Sequence, residues 1–582
     1  MDTPYGNDSL FDLFLARRKI TPEDYHAFDN GEHGPLARID EMCELLHGIR
    51  ERGERIVVLP DFDCDGVMSG VIGMAGLSEL GFDVSLFRPN PNKGYGFGKD
   101  EVDRLVRENP GVSWVITCDT GIGEVAGCAR LSQLGVGILV TDHHRETSDM
   151  PVRKYAACVV DPCCCDDDYE LKTICGAHVL WQVLDTFTRT YCDRETVDQI
   201  WRLRVFAGIG TVSDMMTLAH ENRQLVRDAV SISRLVWSAG DEWFFGELCG
   251  CDAYRRAFYG LSRLFCAFAD AQSLSSPSGI DETFFGFYLA PAINSCKRLG
   301  HTTDVVFDMF FGGRQRACAD EVVRYNAERK ALAAELFDEV VGMPQPQAPY
   351  IYMFVSQHAG MLGLVANKII ERTGTPTFVV TIDCDPYGRC SIHGSGRAPE
   401  WYDCLSRCSA QGFHLAGHEH AFGFSCSDMG ELGRLFEFLS TDVPKVRAEW
   451  ERMVGAQDER EAPAFDILLD TSGHGDVDLD STALTEFVRV QDMYRPFGAG
   501  FDAPRFKVRF DWAEASLRFV GKTGDHVRIT LPNGIVIMCF FQGPEFPAHL
   551  SGEQEFIGTV GLNEFRGETS VQFLGSCLFG TD

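Results

Sequence analysis

Short, continuous apolar runs recur through the first 160 positions, each bounded by glycine, proline or charge. They are RIVVLP (55–60), WVITCD (114–119), GVGILVTD (135–142) and YAACVVD (155–161). Such runs lack the alternation of a half-exposed strand and are too short for a helix, so they read as strands buried on both faces. MSGVIGMAGLSEL and EVAGCARLSQLG lie between them with helical composition. Strand–helix alternation of this kind predicts a parallel α/β sheet. Upstream, residues 1–50 form a helical segment in which RIDEMCELLHGI has helical apolar spacing. A first domain at 51–319 is mostly helical after residue 176. DEVVRYNAERKALAAELFDEVV opens a connecting helix and linker at 320–347, which runs into the proline-rich GMPQPQAP. A second, smaller α/β domain follows at 348–455. After GAQDEREAPA, residues 465–582 carry alternating runs such as RFKVRF, HVRITL and SVQFLG, the pattern of a small β-barrel of the oligonucleotide-binding kind.

Composition narrows this only a little. Apolar residues make up 45% and charged residues 24%, an ordinary globular balance. No apolar run is long enough to cross a bilayer, and the N-terminal stretch lacks the order of a secretory signal. The expected location is therefore the cytoplasm. The 22 cysteines are scattered; Cys163, Cys164 and Cys165, like Cys249 and Cys251, lack zinc-site spacing and read as reduced thiols. The net charge of −32 argues against a nucleic-acid partner overall, but a locally basic groove and a carboxylate-rich metal site are both compatible with it.

The acidic residues are placed tellingly. Asp61, Asp63 and Asp65 follow the first strand in DFDCDG, Asp119 follows the second, and Asp142, His143 and His144 follow the third. In open α/β sheets that edge is where ligands bind. So many carboxylates in one crevice would repel one another unless cations offset them. Oxygen donors with one or two imidazoles suit Mn²⁺ or Mg²⁺, and two such ions ~4 Å apart catalyse in-line displacement at phosphorus. An EF-hand reading of DxDxDG fails, because the positions that would complete the loop belong to the helical run MSGVIGM.

At these residues the chain resembles the DHH phosphoesterase family. DFDCDG, TCDTGI and TDHH look like its first three motifs, and AGIGTVSDMMTLAHENRQLV (207–226) like the next. CGAHVLWQVL, LAPAINSCKRLG and YNAERK are similar to the RecJ-type branch of the family. HAGMLGLVANKI, GSGRAP and AGHEHAFGF resemble the DHH-associated second domain; YRPFGAGFDAP and GLNEFRGETSVQF resemble the terminal barrel. The resemblance implies that Asp63, Asp65, Asp119, His143 and Asp214 hold two ions, with Asp119 between them. It implies that Asp61 supports the site and that His144 meets the scissile phosphate. Arg298, Asn294, Ser395, Arg397 and His418 would hold the strand backbone or its 5′ phosphate. Phe565 and Arg566 are candidates for strand contact in the barrel. The implied activity is 5′-to-3′ hydrolysis of single-stranded DNA to mononucleotides by a monomer, in repair or recombination, with a single-strand-binding protein as a family-implied partner.

Some positions depart from the family pattern. An arginine expected before GYG is missing from RPNPNKGYG, leaving Lys93 or Arg88 as substitutes. Lys297 stands where glycine is usual, Phe422 where alanine is usual, and Asp161 where asparagine is usual. Gly394, Gly396, Gly417 and Gly423 are expected to admit close ligand approach or positive φ. Three alternatives share part of the pattern. Phosphodiesterases of short oligoribonucleotides or cyclic dinucleotides, and pyrophosphatases of similar metal chemistry, lack the barrel. A non-catalytic scaffold would not need a whole ligand set.

Overall fold

The computed structural model describes residues 9–31, 33–90, 96–145, 151–342, 350–354, 359–384, 390–417, 420–455, 465–471, 475–521, 524, 526–540, 542–543, 546, 550–565 and 568–577. The apolar runs of the first domain become parallel strands: β1 (Ile56–Pro60), β2 (Val84–Leu86), β3 (Trp114–Cys118), β4 (Gly137–Thr141) and β5 (Cys158–Val160). They are ordered β2-β1-β3-β4-β5. β1 is buried throughout, as a central strand covered on both faces must be. β2 is the strand that the apolar pattern does not reveal: it is three residues long, half-buried, and at the edge. Register matters more than order here. Pro60 pairs with Cys118, and Cys118 with Thr141, so Asp61, Asp119 and Asp142 leave the sheet at one level.

The helix Cys64–Glu79 is buried on nearly every side. Its glycines make that possible: a Cβ on Gly73 would lie 2.9 Å from Val58 Cγ1, and one on Gly76 would lie 2.6 Å from Leu184 Cδ1. Helices from Gly176 to Phe311 build the rest of this domain's core. The helix Gln315–Gly342 then leads towards a second sheet of β6 (Tyr350–Phe354), β7 (Thr377–Cys384), β8 (Cys390–Arg397), β9 (His414–Gly417) and β10 (Ala421–Cys426). Its order is β6-β7-β8-β10-β9, with β6 and β7 parallel and the other pairs antiparallel.

The C-terminal sheet is mixed and eight-stranded: β11 (Ile467–Asp470), β12 (Val477–Asp478), β13 (Phe506–Asp511), β14 (Ser516–Val520), β15 (His526–Thr530), β16 (Val536–Cys539), β17 (Glu553–Phe565) and β18 (Glu568–Cys577). The N-terminal helices divide between two cores. Ile39–Glu51 packs on the first domain. Phe14, Leu15 and Tyr25, from the two preceding helices, pack with Val490, Tyr494 and Phe501 near the other end of the chain. Arg18 seals that contact by bonding Asp466 at 2.8 Å. Nearby, the fully buried Arg223 donates to Asp29 and to the carbonyls of Tyr494 and Pro496. Among the described residues no helix is long and apolar enough to cross a membrane, and the cysteines are free thiols.

Candidate metal centre

The sheet edge and two helix ends create the site. Asp63 caps the helix Cys64–Glu79 by accepting from the Gly66 amide at 3.1 Å. Asp65, in the first turn of that helix, accepts from the amides of Gly176 (2.7 Å) and Ala177 (3.3 Å) at the start of the helix Gly176–Tyr191. A helix N-terminus is a natural anchor for a carboxylate. Asp119 leaves β3 with φ of 61°, a left-handed conformation unusual for a residue with a side chain. Asp214 ends the helix Arg204–Ser213.

These residues converge. His143 Nε2 lies 3.0 Å from Asp119 Oδ1, 3.5 Å from Asp214 Oδ2 and 4.0 Å from Asp65 Oδ2. Among the described residues, three donor sets, each with its atoms within 4.8 Å of one another, could hold a cation: Asp65, His143 and Asp214; Asp61, Asp63 and Asp119; Asp119, His143 and His144. Asp119 and His143 each belong to two sets, so the sets are contiguous. The structure places the Asp61 carboxylate among the donors themselves, beside Asp63 and Asp119.

The electrostatics suit residues that hold a divalent cation. Burial, then the carboxylates of Asp65, Asp63 and Asp61, pushes Asp119 well above the usual carboxylate range. Burial and Asp63 push Asp61 up to about 8, and burial with Asp65 and Asp63 does the same to Asp214. Burial lowers His143, keeping the imidazole neutral and able to donate a lone pair. Asp119 Oδ1 is buried and accepts no hydrogen bond among the described residues. Buried acceptors left unbonded among mutually repelling carboxylates are what a divalent cation would satisfy.

Asp142 plays a different part. It is buried and accepts from the Ile122 amide, the His143 amide and His144 Nδ1, the last at 2.7 Å. Burial opposes its ionisation, but the bond to His144 and the two imidazoles outweigh that and hold it below its ordinary value. The bond raises His144 to about 9, so this half-exposed ring is a cation aimed from the same edge. Close glycines fix the carboxylates: a Cβ on Gly176 would lie 2.4 Å from Asp119 Cβ, and one on Gly66 would lie 2.5 Å from the Asp61 carbonyl carbon. The sequence gives no sign of the Gly176 contact, since its partner lies far away along the chain.

Arginines gather where the two α/β domains meet. Gly360 of the second domain lies so close to Arg298 that a Cβ would come within 2.7 Å of its Cα. The charge of Arg298 acts on Arg397 and Arg329. Arg397 donates to Asn367, to Ser395 Oγ at 3.1 Å and to the Gly396 carbonyl. Arg329 is buried and donates to Asn326 Oδ1 through Nε and Nη2. Asn294 Oδ1, one turn before Arg298, is buried without a hydrogen bond among the described residues. Asn367 and Arg329 were not singled out by sequence, although Arg329 lies within YNAERK. Lys93, His418 and Arg566 lie outside the described residues, as does the side chain of Phe565. Arg88 is committed to Asp304 and Asp308.

One expectation is corrected. Gly394 and Gly396 do not have positive φ and do not leave room for a ligand. They make room for aromatic rings across the sheet: a Cβ on either would lie 2.0 Å from the ring of Phe424 or Phe422. Phe422 is buried against Phe378 and fills the core of the second domain. Gly417 does have positive φ, at 134°.

Residues 55–209 match the family model described as the DHH family, N-terminal domain, and residues 475–575 match that of the RecJ OB domain. The first stretch is thus similar to the DHH family and the second to the OB domain of RecJ. The chain is 26% identical to the single-stranded-DNA-specific exonuclease RecJ of Salmonella typhimurium, over 93% of this chain and 90% of that one. It is 25% identical to the protein of that name from Thermus thermophilus, over 92% of this chain and 70% of the relative. The crystal structure of RecJ in complex with Mn²⁺ from Thermus thermophilus superposes with a TM-score of 0.68 at 23% identity, covering 99% of this chain and 78% of that one. A crystal structure of exonuclease RecJ bound to manganese matches with a TM-score of 0.54 at 25% identity, over 70% of this chain and 96% of that one. The fold, from the first α/β domain through the helical connection and second α/β domain to the C-terminal sheet, is thus shared over nearly all of this chain.

Proposed function

We propose that this chain is a metal-dependent, single-strand-specific DNA exonuclease that degrades its substrate from the 5′ end to mononucleotides. The carrying observation is the convergence of Asp61, Asp63, Asp65, Asp119, His143 and Asp214 in contiguous donor sets around His143 and Asp119. The relatives' name, over nearly the whole chain, supports single-stranded DNA as the substrate.

Asp63, Asp65, Asp119, His143 and Asp214 would hold two Mn²⁺ or Mg²⁺ ions, with Asp119 reaching both and Asp61 beside them. Such a pair supplies Lewis acidity for water attack on phosphorus and neutralises charge on the leaving oxygen. The chain's own residues do the rest. Asp142 orients His144 through the Nδ1 bond, leaving Nε2 to donate to a phosphate oxygen as charge develops. Arg298, Arg397 and Ser395 hold the strand backbone at the domain junction, where a guanidinium fork matches phosphate geometry. Asn294 offers its unbonded oxygen on the same helix as Arg298. The OB domain holds the incoming strand by stacking and charge. We place the protein in the cytoplasm, where free thiols persist, acting as a monomer alongside a single-strand-binding protein.

End-labelled single-stranded DNA and RNA, each with and without a 5′ phosphate, digested with Mn²⁺ or Mg²⁺, test the reading. Mononucleotide release from the 5′ end of DNA is the expected result. Preference for dinucleotides over long strands, or release from the 3′ end, would overturn it.

A further inference from the structure

Lys297 and Arg298 are consecutive residues in the last turn of the helix Ala290–Arg298, and their charges act on different domains. Neighbouring helical residues point about 100° apart. Arg298 abuts Gly360, and its charge acts on Arg329 and Arg397. Lys297 acts on the first domain instead: its Nζ lies 3.5 Å from the centroid of the Phe62 ring. Phe62 is buried between Asp61 and Asp63 in sequence, and the Lys297 charge acts on both carboxylates. An aromatic face holds an ammonium group in place, so this cation has a defined position beside the donor set Asp61, Asp63 and Asp119.

A fixed cation there works against divalent-ion binding at the same carboxylates, by simple Coulomb repulsion. Metal binding alone gains nothing from it. A phosphodiester arriving at the site does gain, since its anionic oxygens need cations on the side that the carboxylates leave open. We propose that Lys297 contacts a non-bridging oxygen of the phosphate being hydrolysed, as a cation supplied by the protein beside the metal pair. The inference rests on the two-cation reading above and adds a substrate-contacting residue to it. Lys297 and Arg298 then grip successive phosphates of one strand, the first at the reacting end and the second at the domain junction.

Lys297→Met removes the charge and keeps the stem over Phe62; Lys297→Arg keeps the charge. Mn²⁺ affinity of the chelator-stripped protein is read by the electron paramagnetic resonance of free Mn²⁺, and kcat is read on single-stranded DNA at saturating Mn²⁺. For Lys297→Met, Mn²⁺ should bind several-fold tighter while kcat falls by about tenfold or more, the scale of one lost charge contact. Lys297→Arg should return both towards the starting values. Unchanged or weaker Mn²⁺ binding in Lys297→Met, or an unchanged kcat, overturns the proposal. Asp63→Asn separates the two readings. If it keeps the full Mn²⁺ stoichiometry, the two-cation reading falls and takes this one with it. If it loses an ion while Lys297→Met changes nothing, the lysine assignment alone falls.

Discussion

Gly210 packs against the Asp65 carboxylate so closely that a Cβ there would stand 2.2 Å from Oδ1. The glycine belongs to the helix that ends at Asp214, and Asp65 opens the helix that follows β1, so one missing methyl group sets the spacing of two donors. Gly210→Ala should displace Asp65 and lower activity by about 100-fold, the cost of a misplacement near 1 Å. Mn²⁺ affinity should fall with it, while circular dichroism stays unchanged. Full Mn²⁺ binding in this variant would mean that the spacing is not critical.

Asp119→Asn should cost on the order of 10³-fold or more in Mn²⁺-dependent turnover, as when charge stabilisation of a transition state is removed. The metal-free variant should melt at a higher temperature than the unaltered chain, because it lacks a carboxyl group whose ionisation is opposed in the folded state by burial and by the carboxylates of Asp65, Asp63, Asp61 and Asp142. A lower melting temperature for the metal-free variant would show that Asp119 supports the fold and not only the site.

Stability should depend on pH more steeply without metal than with it. Asp61 and Asp214 rise from 3.8 to about 8 on folding without cations, so between pH 4 and 8 the folded chain binds more protons than the unfolded one. Their contribution to metal-free stability therefore falls as pH rises through that window. Mn²⁺ offsets the same charges, so the rise in melting temperature on adding Mn²⁺ should grow steadily from pH 5 to pH 8. A rise independent of pH would contradict the assigned site.

Arg397→Ala should weaken single-stranded DNA binding by roughly 1.5–3 kcal/mol, the range for hydrogen bonds to charged groups, with kcat nearly unchanged. The loss should shrink as salt is raised, because one phosphate contact has gone. A fall in kcat with unaltered binding would move Arg397 from strand holding to chemistry.

Asp29 is buried between Arg223 and Arg227. Burial raises its pKa, but the two guanidinium groups more than compensate and hold it below 3.8. Asp29→Asn would strand the fully buried Arg223 and should destabilise the protein by about 3–5 kcal/mol, read by denaturant unfolding. The same contact is present above the unfolded-state pKa and is lost as pH falls through the lowered folded value. A variant of normal stability would show that backbone carbonyls alone satisfy Arg223.

The strands that carry the site were legible because β1, β3 and β4 are continuous apolar runs, and the acidic residues follow them directly. The edge strand β2 was not, since a half-buried VSL has no pattern to detect. Candidate donors could be read as strand-end residues, but their spacing could not: it depends on Gly176 and Gly210, which meet Asp119 and Asp65 through contacts remote in sequence. Gly394 and Gly396 show the converse. A GxG beside an arginine has the look of a ligand loop, and only the rings of Phe424 and Phe422 explain it. Asp29 and Arg223 carry no local signal either, since their partners lie in other helices and in the turn after Tyr494.

The packing of Phe14, Leu15 and Tyr25 against Val490, Tyr494 and Phe501 has a consequence for biosynthesis. The helices carrying Phe14, Leu15 and Tyr25 leave the ribosome with no finished surface to rest on until nearly five hundred further residues have been made. Their apolar faces stay unmatched over that stretch of elongation, so these two helices reach their final place only after residues 490–501 have emerged.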